Sequence, residues 1–288
     1  MVARASFNGV DLSGPSLTRN VMGLKCPEGQ TFYDYEMARL LVRDDRAKGL
    51  MGVDGALVND TTAGAAYFAD HFKAAAINAA YDVTKGNDAQ AVAFAVDTTV
   101  KAGAVKGTTG DAGTGAAADA ITLALNNPVQ LTATSRVELS ASLKFSAVTS
   151  LYFFLGFTDT LPGTTLELPI TLSTVTYTTT ATDAVGFMFD TAATTDTVRL
   201  TGVAADVDAT HVDTGFAPVL ATVYDFHIRI DGQVATFSIN GVTFTGAITL
   251  PACASLAVNL YPIIVACART TSTRDVTVDF FRGGLFAA

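Results

Sequence analysis

Across residues 224–246 apolar and polar positions alternate one by one, in three short runs separated by two turn signals. Tyr224, Phe226, Ile228 and Ile230 alternate with Asp225, His227, Arg229 and Asp231, the period-two pattern of a strand with one dry and one wet face. Asp231-Gly232 ends that run. Ala235, Phe237 and Ile239 then alternate with Thr236, Ser238 and Asn240, and Asn240-Gly241 predicts a two-residue hairpin turn, because both residues tolerate positive φ. Val242 and Phe244 open a third strand.

The same pattern recurs upstream and downstream. Val137, Leu139, Ala141, Leu143 and Phe145 alternate with Glu138, Ser140, Ser142 and Lys144, predicting a half-buried strand. Residues 151–157 (LYFFLGF) are apolar on both faces and predict a central strand covered on both sides. Val185, Phe187 and Phe189 mark another strand, Val198 and Leu200 a short one, and residues 258–266 and 276–281 the last two. Residues 90–96 are read as the first strand of the set. About ten strands with turn signals between them predict an antiparallel two-sheet sandwich over residues 87–288, not a βαβ fold.

Ahead of the sandwich the pattern changes. Residues 1–30 carry Gly9, Gly14-Pro15, Gly23, Pro27 and Gly29 with no sustained period and read as an extended arm. Residues 31–48 predict a helix: Thr31 caps it, Asp34 and Glu36 sit early, Arg43, Arg46 and Lys48 sit late, and Gly49 stops it. Its apolar stripe is Tyr33, Met37, Leu40 and Leu41, bordered by Phe32. Residues 63–83 are Ala-rich and predict a second helix with Phe68, Phe72, Ile77 and Tyr81 near one side; His71 within it has no second ligand at helical spacing. Residues 31–86 thus read as a small helical docking region, with the boundary near Asn87.

Composition sharpens this picture. Of the 288 residues 49% are apolar and 16% charged, and Trp is absent. The net charge is −9, unevenly spread: residues 1–86 hold nine Lys and Arg against ten Asp and Glu, leaving nine of 18 against 17 of 27 for the rest. An acidic sandwich without a basic stripe repels phosphate, which excludes nucleic acid as a partner. No apolar run approaches the ~20 residues of a membrane span, and residues 1–12 lack an apolar leader core. Cys26, Cys253 and Cys267 have no metal or redox spacing and read as buried apolar residues.

Candidate chemistry is sparse, and no cofactor is implied. Residues 105–118 are Gly-rich but lack the Lys and Ser/Thr that a phosphate loop needs after Gly113 and Gly115, so they read as a surface loop. Asp206, Asp208 and Asp213 form an oxygen-rich stretch that is a Ca²⁺ candidate, although it lacks the Gly and distal Glu of an EF-hand, and a solvated acidic loop competes with that reading. The three histidines, His71, His211 and His227, lie beside no GxSxG turn.

The strand and turn order resembles the concanavalin A-like lectin and glucanase sandwich, including laminin G-like domains. The resemblance rests on residues 224–230, Asp231-Gly232, residues 235–239, Asn240-Gly241 and the closing run VTVDFF at 276–281. Its glucanase branch implies an E-x-D-x-x-E run, since glycoside hydrolysis needs two carboxylates about the scissile bond; that run is absent, and Glu138 and Glu167 are the only glutamates after residue 87. The whole chain, with its arm, helical part and acidic sandwich, resembles tailed-bacteriophage head-decoration (cement) proteins. That second resemblance implies a non-catalytic virion protein on the capsid surface, assembled in the host cytoplasm. The same resemblance implies docking on the major capsid protein through Phe32, Tyr33, Met37, Leu40 and Leu41, and a dimer or trimer of the chain with itself. The competing reading is a glycan- or receptor-binding module of the tail-fibre kind, contacting a surface glycan through loops 206–213 and 107–115; glycoside hydrolysis stands third.

Overall fold

A computed structural model describes residues 6–7, 10–11, 56–60, 65–100, 103–112, 117–160, 166–232, 234–244, 248–249 and 254–286. The chain divides into two compact units, Met1–Val53 and Asp54–Ala288. In the first, β1 (Ser6–Phe7) and β2 (Val10–Asp11) form an antiparallel pair. The predicted helix at 31–48, with Phe32, Tyr33, Met37, Leu40 and Leu41, lies outside the described residues.

The regular elements described in the second unit are strands, apart from a single 3-10 turn at Ala117–Asp119. In chain order they are β3 (Ala56–Asp60), β4 (Ala65–Asp70), β5 (Tyr81–Lys85), β6 (Val92–Val96), β7 (Val105–Thr108), β8 (Ile121–Leu125), β9 (Val129–Gln130), β10 (Arg136–Phe145) and β11 (Leu151–Thr158). There follow β12 (Ile170–Ser173), β13 (Thr176–Thr179), β14 (Ala184–Asp190), β15 (Arg199–Ala204), β16 (Val207–Asp208), β17 (Val212–Asp213) and β18 (Val223–Asp231). The last are β19 (Val234–Ile239), β20 (Val242–Thr243), β21 (Ile248–Thr249), β22 (Asn259–Ala268) and β23 (Asp275–Phe286). Sheet I runs β20-β19-β18-β10-β23-β4-β3, with β7 also on β23; sheet II runs β16-β15-β14-β11-β22-β8-β5. Strands β12 and β13 form a separate hairpin.

The expected two-sheet sandwich is what forms, with one correction. The helix expected over 63–83 does not form across its described residues, 65–83: β4 pairs with β23 in sheet I and β5 with β8 in sheet II. Helix propensity is a small preference per residue, and burial of Phe68, Phe72 and Tyr81 in the inter-sheet core outweighs it. Both sheets therefore recruit strands from upstream of residue 87.

The core lies between the inner faces. Val137, Leu139, Ala141, Leu143 and Phe145 of β10 and Tyr224, Phe226, Ile228 and Ile230 of β18 point into it, as their alternation predicts. The two turns that frame β19 form as read: Gly232, Asn240 and Gly241 all have positive φ, at 59°, 51° and 77°. Pro262 is tolerated within β22 because it falls where the neighbour on one side changes from β9 to β8. At the centre, Phe153 stacks on Phe145 (ring centroids 4.7 Å apart) and on Phe189 (5.6 Å), and meets Phe226 edge-on (5.7 Å). Because such a site cannot collapse around a lost ring, Phe153→Ala should cost about 3–5 kcal/mol. Equilibrium denaturation checks this, and an unchanged transition midpoint would remove Phe153 from the core.

Candidate functional site

Sheet II carries a second apolar cluster on its outer face. Tyr152 and Phe154 of β11, Met188 of β14, and Ile263, Val265 and Cys267 of β22 are buried there under Leu168, Ile170, Leu172 and Ala181 of the β12–β13 hairpin and its flanks. Tyr152 donates its hydroxyl proton to the Ile170 carbonyl at 2.9 Å. Asp190, 2% exposed, closes the end of this layer: its carboxylate accepts the Leu172 and Ala192 amides at 3.0 Å and pairs with Arg269, whose guanidinium lies over the Tyr152 ring.

The outer strand of the hairpin reaches the loop that the sequence singled out. Tyr177 of β13 lies against His211, ring centroids 3.9 Å apart, and Thr179 donates to Asp208. Asp213 is ion-paired to Arg199 Nη1 at 3.0 Å, and Arg199 Nη2 donates to Thr195 at 2.7 Å. Backbone and side-chain hydrogen bonds and the Arg199 charge outweigh partial burial and hold the Asp213 carboxyl below its ordinary range. Asp206 sits apart in the β15–β16 turn with positive φ, 63°. The Asp208 and Asp213 carboxylates are thus already engaged, and among the described residues no group of three or more His, Cys, Asp or Glu is placed to hold a metal ion. The second predicted loop is elsewhere: Gly107 lies in β7, and the segment leads into β8. Strand β15, which holds the first segment, and β8, into which the second leads, stand four places apart in sheet II, roughly 19 Å at about 4.8 Å per strand.

Two carboxylate arrangements were not legible as sites in the sequence. At one end of sheet II the Asp159 amide donates to the Asp183 carbonyl at 2.9 Å, just beyond the Thr158–Ala184 pair, so the two side chains share a face. Asp183 is 3% exposed and accepts the amides of Ala205 and Ser255 on Oδ1. Burial, reinforced by the Asp183 charge, raises the Asp159 carboxyl above its ordinary value. The only signal was cross-strand register, which composition does not carry.

The other arrangement lies on the outer face of sheet I, where register brings β18 and β23 to either side of β10. Glu138, 4% exposed, accepts from Arg282 Nη2 and Arg136 Nε, both at 2.7 Å, and lies 3.6 Å from His227 Nε2. Burial opposes its ionisation, but His227 and the two guanidiniums prevail and hold the carboxyl at about 2.

No family model matches the chain, and no curated protein matches it. Solved structures do. Bacillus licheniformis β-glucanase is 10% identical, with 75% of this chain and 97% of that one covered and a TM-score of 0.50. A lichenase (β-1,3-1,4-glucanase) derived from a mouse hindgut metagenome is 9% identical, with 75% and 98% covered and a TM-score of 0.50. An immunostimulatory antigen and pseudo β-1,3-glucanase of Mycobacterium tuberculosis is 10% identical, with 77% and 98% covered and a TM-score of 0.50. At such identities the likeness is one of fold: this is a concanavalin A-like sandwich. The finding corrects the expectation of a non-catalytic phage decoration protein. The chain shares the sandwich architecture of these glucanases over nearly their whole length, and the likeness to cement proteins is not shown.

The Glu138 network supplies a pH test. Its carboxyl titrates near 4.5 when unfolded and about 2 when folded, so the stability it adds is full above pH 4.5 and is lost as pH falls from there towards 2. The difference corresponds to about 3 kcal/mol. Glu138→Gln should lower stability at pH 7 and flatten the acid limb of a denaturation-against-pH series; an acid limb identical to the wild type's would show that Glu138 does not set it.

Proposed function

We propose that the sandwich is a carbohydrate-active module whose ligand is a polysaccharide chain. The observation that carries this reading is the shared fold, which takes in nearly all of each glucanase it resembles. The rim formed by Tyr177, His211, Arg199 and Asp213 supports it, since a half-exposed ring beside planar charged groups offers stacking and directional hydrogen bonds, the two contacts a pyranose presents.

One further observation favours bond cleavage as well as binding. Glycoside hydrolysis pairs a carboxyl kept protonated with one kept ionised. Asp159, whose carboxyl burial raises, lies across the ladder from Asp183, whose Oδ1 accepts two backbone amides, so two carboxyls in unlike surroundings share one face. In this reading Asp159 donates the proton to the leaving oxygen and Asp183 is the carboxyl beside it.

Affinity electrophoresis in gels containing β-glucans or other soluble polysaccharides, with reducing-end release measured in parallel, tests both statements. Retardation by one polysaccharide class is expected, weakened by Tyr177→Ala; release of reducing ends should fall at least about 100-fold in Asp159→Asn, the lower range for a lost general acid. Neither retardation nor release with any polysaccharide would overturn the proposal.

A further inference from the structure

The contact between β13 and the β16–β17 segment is built unlike the rest of the hairpin. Strand β12 is anchored in depth: Ile170 and Leu172 are buried, the Leu172 amide is bound by Asp190, and the Ile170 carbonyl is bound by Tyr152. Strand β13 alternates exposed and half-buried positions. Beyond its pairing with β12 and the packing of Tyr177 on the outer-face cluster, it meets the edge of sheet II through the Tyr177–His211 ring contact and the Thr179–Asp208 hydrogen bond. On the other side, β16 and β17 are two residues each and pair only with the margin of β15. Both sides of the contact are the low-stability kind of element that opens locally before the sandwich does.

His211 is the group on which the contact turns. Both of its ring nitrogens are shielded from water and have no hydrogen-bond partner. A neutral imidazole there leaves one donor and one acceptor unmet, whereas an imidazolium would bury two unmet donors and a charge. The titratable and charged groups facing it are Tyr177 of β13, Arg199 of β15, Asp208 of β16 and Asp213, which is paired to Arg199. Burial opposes the second proton most and Arg199 repels it, while the Asp208 charge attracts it without prevailing in the stacked position. Leaving the stack lets an imidazolium meet both water and Asp208.

We propose that His211 is an acid-released latch: its protonation detaches the segment of residues 205–216 from the β12–β13 hairpin and opens that corner of the molecule while the sandwich stays folded. This inference does not depend on what the sandwich binds. Burial holds the imidazole below its ordinary value of 6.5 in the latched form. The linkage sign follows: the latch is closed above pH 6.5 and weakens as pH falls below it, by at most about tenfold in the opening equilibrium per pH unit. That window lies above the region below pH 4.5 in which Glu138 takes up its proton.

Hydrogen-exchange mass spectrometry of the full chain at pH 7.5 and 5.5, corrected for the intrinsic chemical rate, tests the latch. Peptides covering 205–216, whose Ala209 and Thr214 amides bond to Gly202 and Val198, should lose protection roughly threefold or more at pH 5.5. Peptides covering β14 should be unchanged at both values, showing that the fold is intact. In His211→Phe, which keeps a stacking ring without ring nitrogens, protection over 205–216 should no longer depend on pH. In Tyr177→Leu it should be low at both pH values. Protection in the wild type that is equal at pH 7.5 and 5.5, or the same acid loss in His211→Phe, would overturn the proposal.

Discussion

Sheet II is apolar on both faces, and that single constraint dictates most of the architecture around it. Every residue of β11 and β14 is buried, so neither strand tolerates water on either side, and the sheet must be covered twice. Sheet I covers the inner face with the phenylalanine cluster around Phe153. The outer face has no third sheet, and the β12–β13 hairpin takes that place, setting Ile170 and Leu172 on Tyr152, Phe154 and Met188. Gly156 and Gly186 face each other across the β11–β14 pair, where an added Cβ on Gly156 would lie 2.2 Å from the Val185 carbonyl oxygen. The close approach of these two strands admits nothing larger.

A covered outer face leaves polar groups to be satisfied where the cover ends, and the buried charges are found there. Asp190 is an ionic group beneath a hairpin, a position that would be prohibitive for an isolated carboxylate. Arg269 and two backbone amides offset its loss of water, and in doing so tie the hairpin to both β14 and the end of β22. The groups able to do chemistry lie at the margins of the layer: Asp159 and Asp183 at one strand end, and Tyr177, His211 and Arg199 along the edge strand. The middle of the sheet is sealed. The candidate chemistry is therefore confined to rims and loops held by a rigid scaffold, the usual division of labour in sandwich proteins.

How much of this could be read from residues alone depended on whether the information was local. The alternation through β10, β18 and β19 is local, and those strands and the turns at Gly232 and Asn240-Gly241 form where the pattern places them. The two-sided burial of β11 was also legible, because LYFFLGF offers no wet face. The strands at 65–70 and 81–85 were not, since alanine-rich sequence carries helix preference and only pairing with β23 and β8, some 200 and 40 residues onward, reverses it. The β12–β13 hairpin escaped for a related reason: ITLSTVTYTT alternates apolar with Thr and Ser, but nothing in it announces the sheet face it covers. Candidate chemistry was legible only by residue type. Asp206, Asp208 and Asp213 are close in sequence yet form no metal-holding group among the described residues, while Asp159 and Asp183 are distant in sequence yet neighbours across a ladder.

The account as a whole stands on the hairpin sealing the outer face of sheet II, and Cys267 reports on that seal directly. It is fully buried within the covered cluster, and burial pushes its thiol up to about 12, which leaves almost no reactive thiolate at neutral pH. With Cys26→Ser and Cys253→Ser removing the other two thiols, the rate at which a water-soluble thiol reagent modifies the native protein is the decisive measurement. The account predicts no modification of the folded protein over a period in which the denatured protein reacts completely, and reaction of the folded protein once Leu172→Asp loosens the hairpin. Rapid stoichiometric modification of the folded protein with Leu172 intact would contradict it.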